Sequence, residues 1–312
     1  MRIVLIVLLA GLIAPVAVAQ DAWHVARTQE GRPDLQGVWV TEFVTRTERT
    51  KEATTLEVSP EEARRIADAI VARSQANPVS DPDNALYGYD QLAKVGGVFR
   101  SSLIVDPADG KIPYSVAGRV VADRFDRLES YGFDNPEERP PYERCTSGLG
   151  AAPIRTLTIF IPTQIVQTPD HVVLWTEDVQ GARIIPMGAA SGATIPRFEG
   201  HGSGQWDGDT LVVETTNFRT DDTARPDSGP PIVLRQTTRI IERFTRTAHG
   251  TLLYQYTVDD PELYTMPWRA EFEFRLADPG AVYEYACHEA NHSMTSMLQA
   301  GLLGRQPKHP AE

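Results

Sequence analysis

The feature that most restricts this chain is a strict two-residue period near its C-terminal end. Trp268, Ala270, Phe272, Phe274 and Leu276 alternate with Arg269, Glu271, Glu273 and Arg275. Successive side chains of a strand point to opposite faces, so this segment has one apolar and one wet face. Leu252, Tyr254, Tyr256 and Val258 alternate in the same way with Leu253, Gln255 and Thr257. A sheet wetted on one side is antiparallel, because parallel sheets are covered on both.

Turn signals divide the rest of the chain into hairpins. His249-Gly250 joins Arg239–Arg246 to Thr251–Val258, and Asp207-Gly208 precedes Thr210–Thr216. Pro169-Asp170 separates Gln164–Thr168 from Val172–Thr176, and Gln180-Gly181 leads into Arg183–Met187. Asp109-Gly110 lies between Ser102–Asp106 and Lys111–Ser115. Asp-Gly between apolar runs is a strong hairpin signal, since both turn residues accept positive φ. Strands in up-and-down order close most readily into a barrel, which removes exposed edges. More than eight strands are written here, so some belong to a flanking sheet or extension.

One helix is clearly marked. Ser59 caps it, Pro60 fits its first turn, Glu62 completes a capping box, and Ile66, Ile70 and Val71 share a face up to Ser74. A second runs from about Ala290 to Leu303, with Met294, Met297 and Leu298 on one side. Gln75–Tyr89 and Asp134–Arg144, rich in Pro and polar residues, read as long surface loops.

The first nineteen residues read as a signal peptide. Arg2 is its positive end, Ile3–Ile13 its apolar run, and Ala17-Val18-Ala19 the small-x-small site before Gln20. Residues 20–312 then form one large β domain, with N-terminal strands, helix and loops over 20–150 and the hairpin meander over 151–312. The expected location is periplasmic or secreted, with no integral membrane span after cleavage. There, Cys145 and Cys287 either form a disulfide or sit as two small buried apolar side chains. The net charge of −12 and the lack of a basic stripe exclude nucleic acid as a partner.

Gly37-x-Trp39 on a first strand resembles the opening of lipocalin-type barrels, where the Trp plugs the closed end. Further segments are Gly31-Arg32-Pro33-Asp34-Leu35, Ser102–Pro107, Gly208–Phe218, Asp259-Asp260-Pro261 through Trp268, and Tyr285-Ala286-Cys287-His288-Glu289. As a set they resemble a large family of exported bacterial proteins of unassigned function. That resemblance implies a β-rich fold and hands over no reaction. Family members carry Gly-Asn-Tyr after Cys-His-Glu, where this chain has Ala290-Asn291-His292, and His-Asp where it has Gly181-Ala182. The expected fold is therefore mainly β, an antiparallel meander closing into a lipocalin-like (calycin-type) barrel with one or two short helices and long loops.

Two functions compete on that scaffold. The first is binding of a small, partly apolar molecule, with Trp39, Tyr254, Tyr256 and Trp268 lining or flooring the pocket and His201 and Asn291 as polar contacts. The second is lyase, isomerase or hydrolase chemistry. Glu242, Glu284 or Glu289 would then be the base, His288 the acid and Arg183 the stabiliser of negative charge. Strand alternation puts Glu242 with Ile240 and Phe244, and Glu284 with Val282 and Ala286. Each carboxylate, if inward, must find an Arg or change its pKa. A zinc hydrolase is the least favoured reading. His288-Glu289-Ala290-Asn291-His292 matches H-E-x-x-H, but that motif needs a helix, Tyr283–Cys287 reads as a strand, and no third ligand follows except terminal Glu312. No metal or cofactor is assigned.

Overall fold

The computed structural model describes residues 23–75, 90–131, 133–156, 161–178, 182–188, 192, 195–219, 224–277 and 280–302. The signal segment, nearly all of the Gln75–Tyr89 loop and the Gln180-Gly181 turn lie outside them. The chain begins with β1 (Gly37–Val40), β2 (Glu57–Val58), α1 (Pro60–Gln75), β3 (Lys94–Val95), β4 (Val98–Arg100) and β5 (Ile104–Asp106). There follow α2 (Val116–Tyr131), β6 (Thr163–Gln167), β7 (His171–Thr176), β8 (Ala182–Pro186), β9 (His201–Asp207) and β10 (Thr210–Thr216). It ends with β11 (Ala224–Asp227), β12 (Gly229–Val233), β13 (Arg239–Ala248), β14 (Thr251–Asp259), β15 (Trp268–Leu276), α3 (Cys287–Ala290) and α4 (His292–Leu302).

Nine of these strands form an antiparallel sheet in the order β8-β7-β6-β1-β15-β14-β13-β10-β9. Followed from β1 it is an up-and-down circuit, with the last strand back beside the first (Trp39 opposite Leu276). Nine is odd, so neighbours cannot alternate in direction all the way round. The two ends of the sheet, β8 and β9, therefore run the same way. They meet through one parallel bridge, Met187 to Gly204, and the Gly188 N–H donates to the Gly204 carbonyl at 2.8 Å. The barrel is nearly closed, with a seam where ladder pairing fails. Met187 N–H points to Asp170 on the β7 side and Gly188 N–H to β9, so alternation puts Pro186 on the seam, where a missing donor costs no ladder bond.

The interior is packed. Trp39, Phe244, Tyr254, Tyr256, Trp268 and Phe272 are buried, joined by Ala152 and Ile154 from an irregular segment. The alternation in β13, β14 and β15 is as the sequence predicts: Ile240, Glu242 and Phe244 point inward. At one end Trp39 Nε1 donates to the Leu35 carbonyl at 2.9 Å, and the Arg246 guanidinium lies over its ring. α1 and the small sheet β2-β4-β3 build a separate cluster around Ile66, Ile70 and Leu92, the flanking extension that the strand count requires. Ser59 Oγ accepts the Glu62 N–H at 3.2 Å, as expected of the cap.

Several local expectations are corrected. Asp109-Gly110 turns the chain, but β5 pairs with β15 and Lys111–Ser115 forms no partner strand. Ser115 instead caps α2, its Oγ accepting the Gly118 N–H at 3.0 Å. α2 packs so closely that a Cβ at Gly118 would lie 2.0 Å from the Leu263 carbonyl oxygen. Asp134–Arg144 is exposed only in its first half, since Arg139, Pro140 and Pro141 are buried. Tyr283–Cys287 is not a strand: Tyr283–Ala286 is irregular, Cys287 opens α3, and Tyr283 is 69% exposed. The C-terminal helix is split, with Asn291 between α3 and α4. Among the described residues, no helix is long and apolar enough to cross a membrane.

Candidate functional site

β8 supplies the inward-facing side chains of Arg183 and Ile185, while Ala182 and Ile184 face out. β9 pairs Gly202 with Thr215 and Gly204 with Val213 of β10, so both glycines occupy inward positions. A Cβ at Gly204 would lie 2.8 Å from Met187 Sδ and 3.2 Å from Ile185. These glycines bring β9 close to β8 and leave room beneath it. The run His201–Gly204 is thus a strand edge shaped by missing side chains.

Arg183 uses that room to reach Glu242 on β13. Its Nη1 donates to Oε1 at 3.0 Å and its Nη2 to Oε2, while Nη1 also donates to the Gly150 carbonyl at 3.2 Å. Tyr254 Oη donates to Glu242 Oε1 at 2.7 Å and accepts the Ile154 N–H at 2.7 Å. Burial alone would lower the Arg183 pKa, but the Glu242 carboxylate reverses this and leaves it raised. Burial, then the charge on Glu242, pushes the Tyr254 phenol well above its ordinary range. Every strong acceptor of the buried carboxylate is occupied, which is how a core tolerates such a group.

A second polar layer lies behind this one. Arg155 and Arg225 are buried, and Arg225 donates to Ser147 Oγ and the Phe198 carbonyl. Burial, then the neighbouring Arg225, lowers the Arg155 pKa to about 10. Burial raises Asp227 to about 6, against hydrogen bonds from the Ser228 N–H and Thr47.

Over the seam is a cavity of about 470 Å³. Ala182–Ile185 of β8, Gly202 of β9 and Thr215 of β10 form its floor. Pro196–Gly200, in the connection between β8 and β9, form its wall, with Thr146 and Arg219 beside them. Glu199 presents two carboxylate oxygens that are buried without a hydrogen-bond partner, and Thr215 Oγ1 is in the same condition.

Compared with protein-family models, with curated proteins and with solved structures, the chain matches none.

Of the residues singled out from sequence, the fold joins Arg183, Glu242 and Tyr254 into one network, and only Arg183 also lines the seam cavity. Trp39, Tyr256 and Trp268 are core side chains. His201 faces away from the interior, its Nε2 sharing a 2.7 Å hydrogen bond with the Ile195 carbonyl. Glu284, His288, Glu289 and His292 are exposed on the C-terminal segment. Among the described residues no three His, Cys, Asp or Glu are grouped to hold a metal, and the break at Asn291 interrupts the helix that H-E-x-x-H requires. Asn291 lies away from the cavity lining, its Nδ2 donating to the Glu143 carbonyl at 2.8 Å beside the Cys145–Cys287 disulfide.

Glu199, Thr215, Arg155, Arg225 and Asp227 escape the sequence reading. Glu199 has no periodic neighbours to place it, but it is the only carboxylate between Asp178 and Asp207. That isolation in an otherwise neutral or basic stretch is the signal that marks it.

Proposed function

We propose that this protein is an exported β-barrel that binds a small, partly apolar molecule at the seam. The carrying observation is a cavity of about 470 Å³, a size suited to small ligands, situated where two strands fail to pair. Ile184, Ile185, Pro196 and Phe198 offer apolar contact, and Arg183, Glu199 and Thr215 offer polar contact. A periplasmic or secreted location agrees with the disulfide and with the N-terminal segment. Membership of the exported bacterial family that the motifs resemble is part of the same reading.

Carboxylate–histidine catalysis has less support. Glu242 is held by two guanidinium nitrogens and a phenol, so it lacks the free lone pairs of a working base. His288 and Glu289 are not among the residues lining the cavity.

The test is to purify the protein from the periplasm of its native host and identify by mass spectrometry what it releases on denaturation. A Gly202→Leu variant, which fills the cavity, is treated identically. The reading predicts a small molecule released by the native chain and lost from the folded variant. Equal recovery from both places the ligand elsewhere and overturns it.

A further inference from the structure

We propose that Glu199 is the ligand anchor of the seam cavity, and that it takes paired, uncharged hydrogen-bond donors such as a vicinal diol carried on an apolar body. This rests on the binding reading above and names its ligand class.

The starting point is a contrast between buried carboxylates. Glu242 has Arg183 and Tyr254, and Asp260 accepts from Thr237, Thr238 and the Glu262 and Leu263 N–H groups. Glu199 has neither oxygen satisfied, although both are covered. A buried acceptor left unpaired costs stability, so native proteins keep few of them, and those kept call for a reason. Here the residue that carries the orphan oxygens lines a cavity large enough for a ligand, and its carboxylate turns toward that space when the ligand binds.

The backbone that carries Glu199 is set before any ligand arrives. Arg225 holds the Phe198 carbonyl on one side. On the other, Gly200 adopts φ +70° and sits so close to Phe218 and Thr215 that a Cβ would lie 2.8 Å from each. A pre-positioned acceptor loses little freedom on binding.

The charge of the donor follows from the surroundings. Arg183, Arg197 and Arg219 line the same cavity, so an ammonium group would meet three guanidinium groups. An incoming carboxylate would face the Glu199 oxygens. Thr215 Oγ1 also lacks a partner and its hydroxyl can donate, so the ligand should offer an acceptor as well as donors. Hydroxyl groups do both, whereas ammonium only donates. Phe198, Ile185 and Pro196 provide the surface for a hydrocarbon ring.

The experiment uses three probes with one ring: cis-cyclohexane-1,2-diol, cyclohexylammonium and cyclohexanecarboxylate. Each is titrated into the mature chain while NMR follows the amides of Ile185, Gly202 and Thr215. The diol is expected to shift these signals saturably, at least tenfold tighter than either charged probe. Glu199→Ala, in a protein that still folds, should weaken the diol at least tenfold. A charged probe binding as well as the diol, or diol binding indifferent to Glu199→Ala, overturns the assignment. Should no probe bind, the ligand class is refuted, and the Gly202→Leu comparison separately decides whether the seam binds anything.

Discussion

Arg183 on β8 grips both carboxylate oxygens of Glu242 on β13 from three strands away in the barrel circuit. The pair ties the seam edge to the far wall, which β8 cannot reach by ladder bonds. Arg183→Met would strand a buried charge at an expected cost of about 3–5 kcal/mol. Arg183→Met with Glu242→Leu should recover most of that loss, since a packed apolar pair is often as stable as an ionic one. Urea denaturation of the two single variants and the double variant measures the coupling. A double variant as unstable as the sum of the singles contradicts the assignment.

Asp227 makes stability depend on pH. Burial raises its folded pKa to about 6, above the unfolded value, so the folded state favours the protonated form. That contribution is complete below the unfolded pKa and is lost as pH rises through 6. The loss is on the order of 2–3 kcal/mol. Asp227→Asn should therefore raise the melting temperature at pH 8 and leave it unchanged near pH 3. Calorimetry of both proteins across this range checks the sign.

How much of this was readable in the sequence depends on whether a residue's neighbours are local. The period of two in β14 and β15 reports burial directly and put Tyr254 and Phe272 on the apolar face. For Glu242 on β13 the alternation gave its face-mates Ile240 and Phe244 but not which way that face points. Ser59 named its helix because a cap acts within one turn. α2 was hidden because Ser115 looked like the end of a strand, and its packing against Leu263 involves residues far along the chain. The seam was also unreadable, although strand counting carried its cause. Only the closed circuit reveals that nine strands leave one parallel contact, and that Glu199 borders the resulting gap.

The Cys145–Cys287 disulfide spans 142 residues and anchors the C-terminal segment beside Thr146, which lines the cavity. Reduction, or Cys145→Ser with Cys287→Ser, should lower stability by about 2–5 kcal/mol. Reductant should then have no further effect on the double variant. Thermal melts with and without dithiothreitol test this, and a native protein indifferent to reductant would contradict it.

The claim on which the rest stands is that the barrel fails to pair between β8 and β9. Amide hydrogen exchange followed by NMR reads this strand by strand. Ile184 N–H, two residues before Pro186 and therefore on the seam side of β8, should exchange orders of magnitude faster than the amides of Tyr254 and Phe272. Protection at Ile184 equal to that at Tyr254 and Phe272 would mean that the two strands are joined by a full ladder, and the seam account would fall.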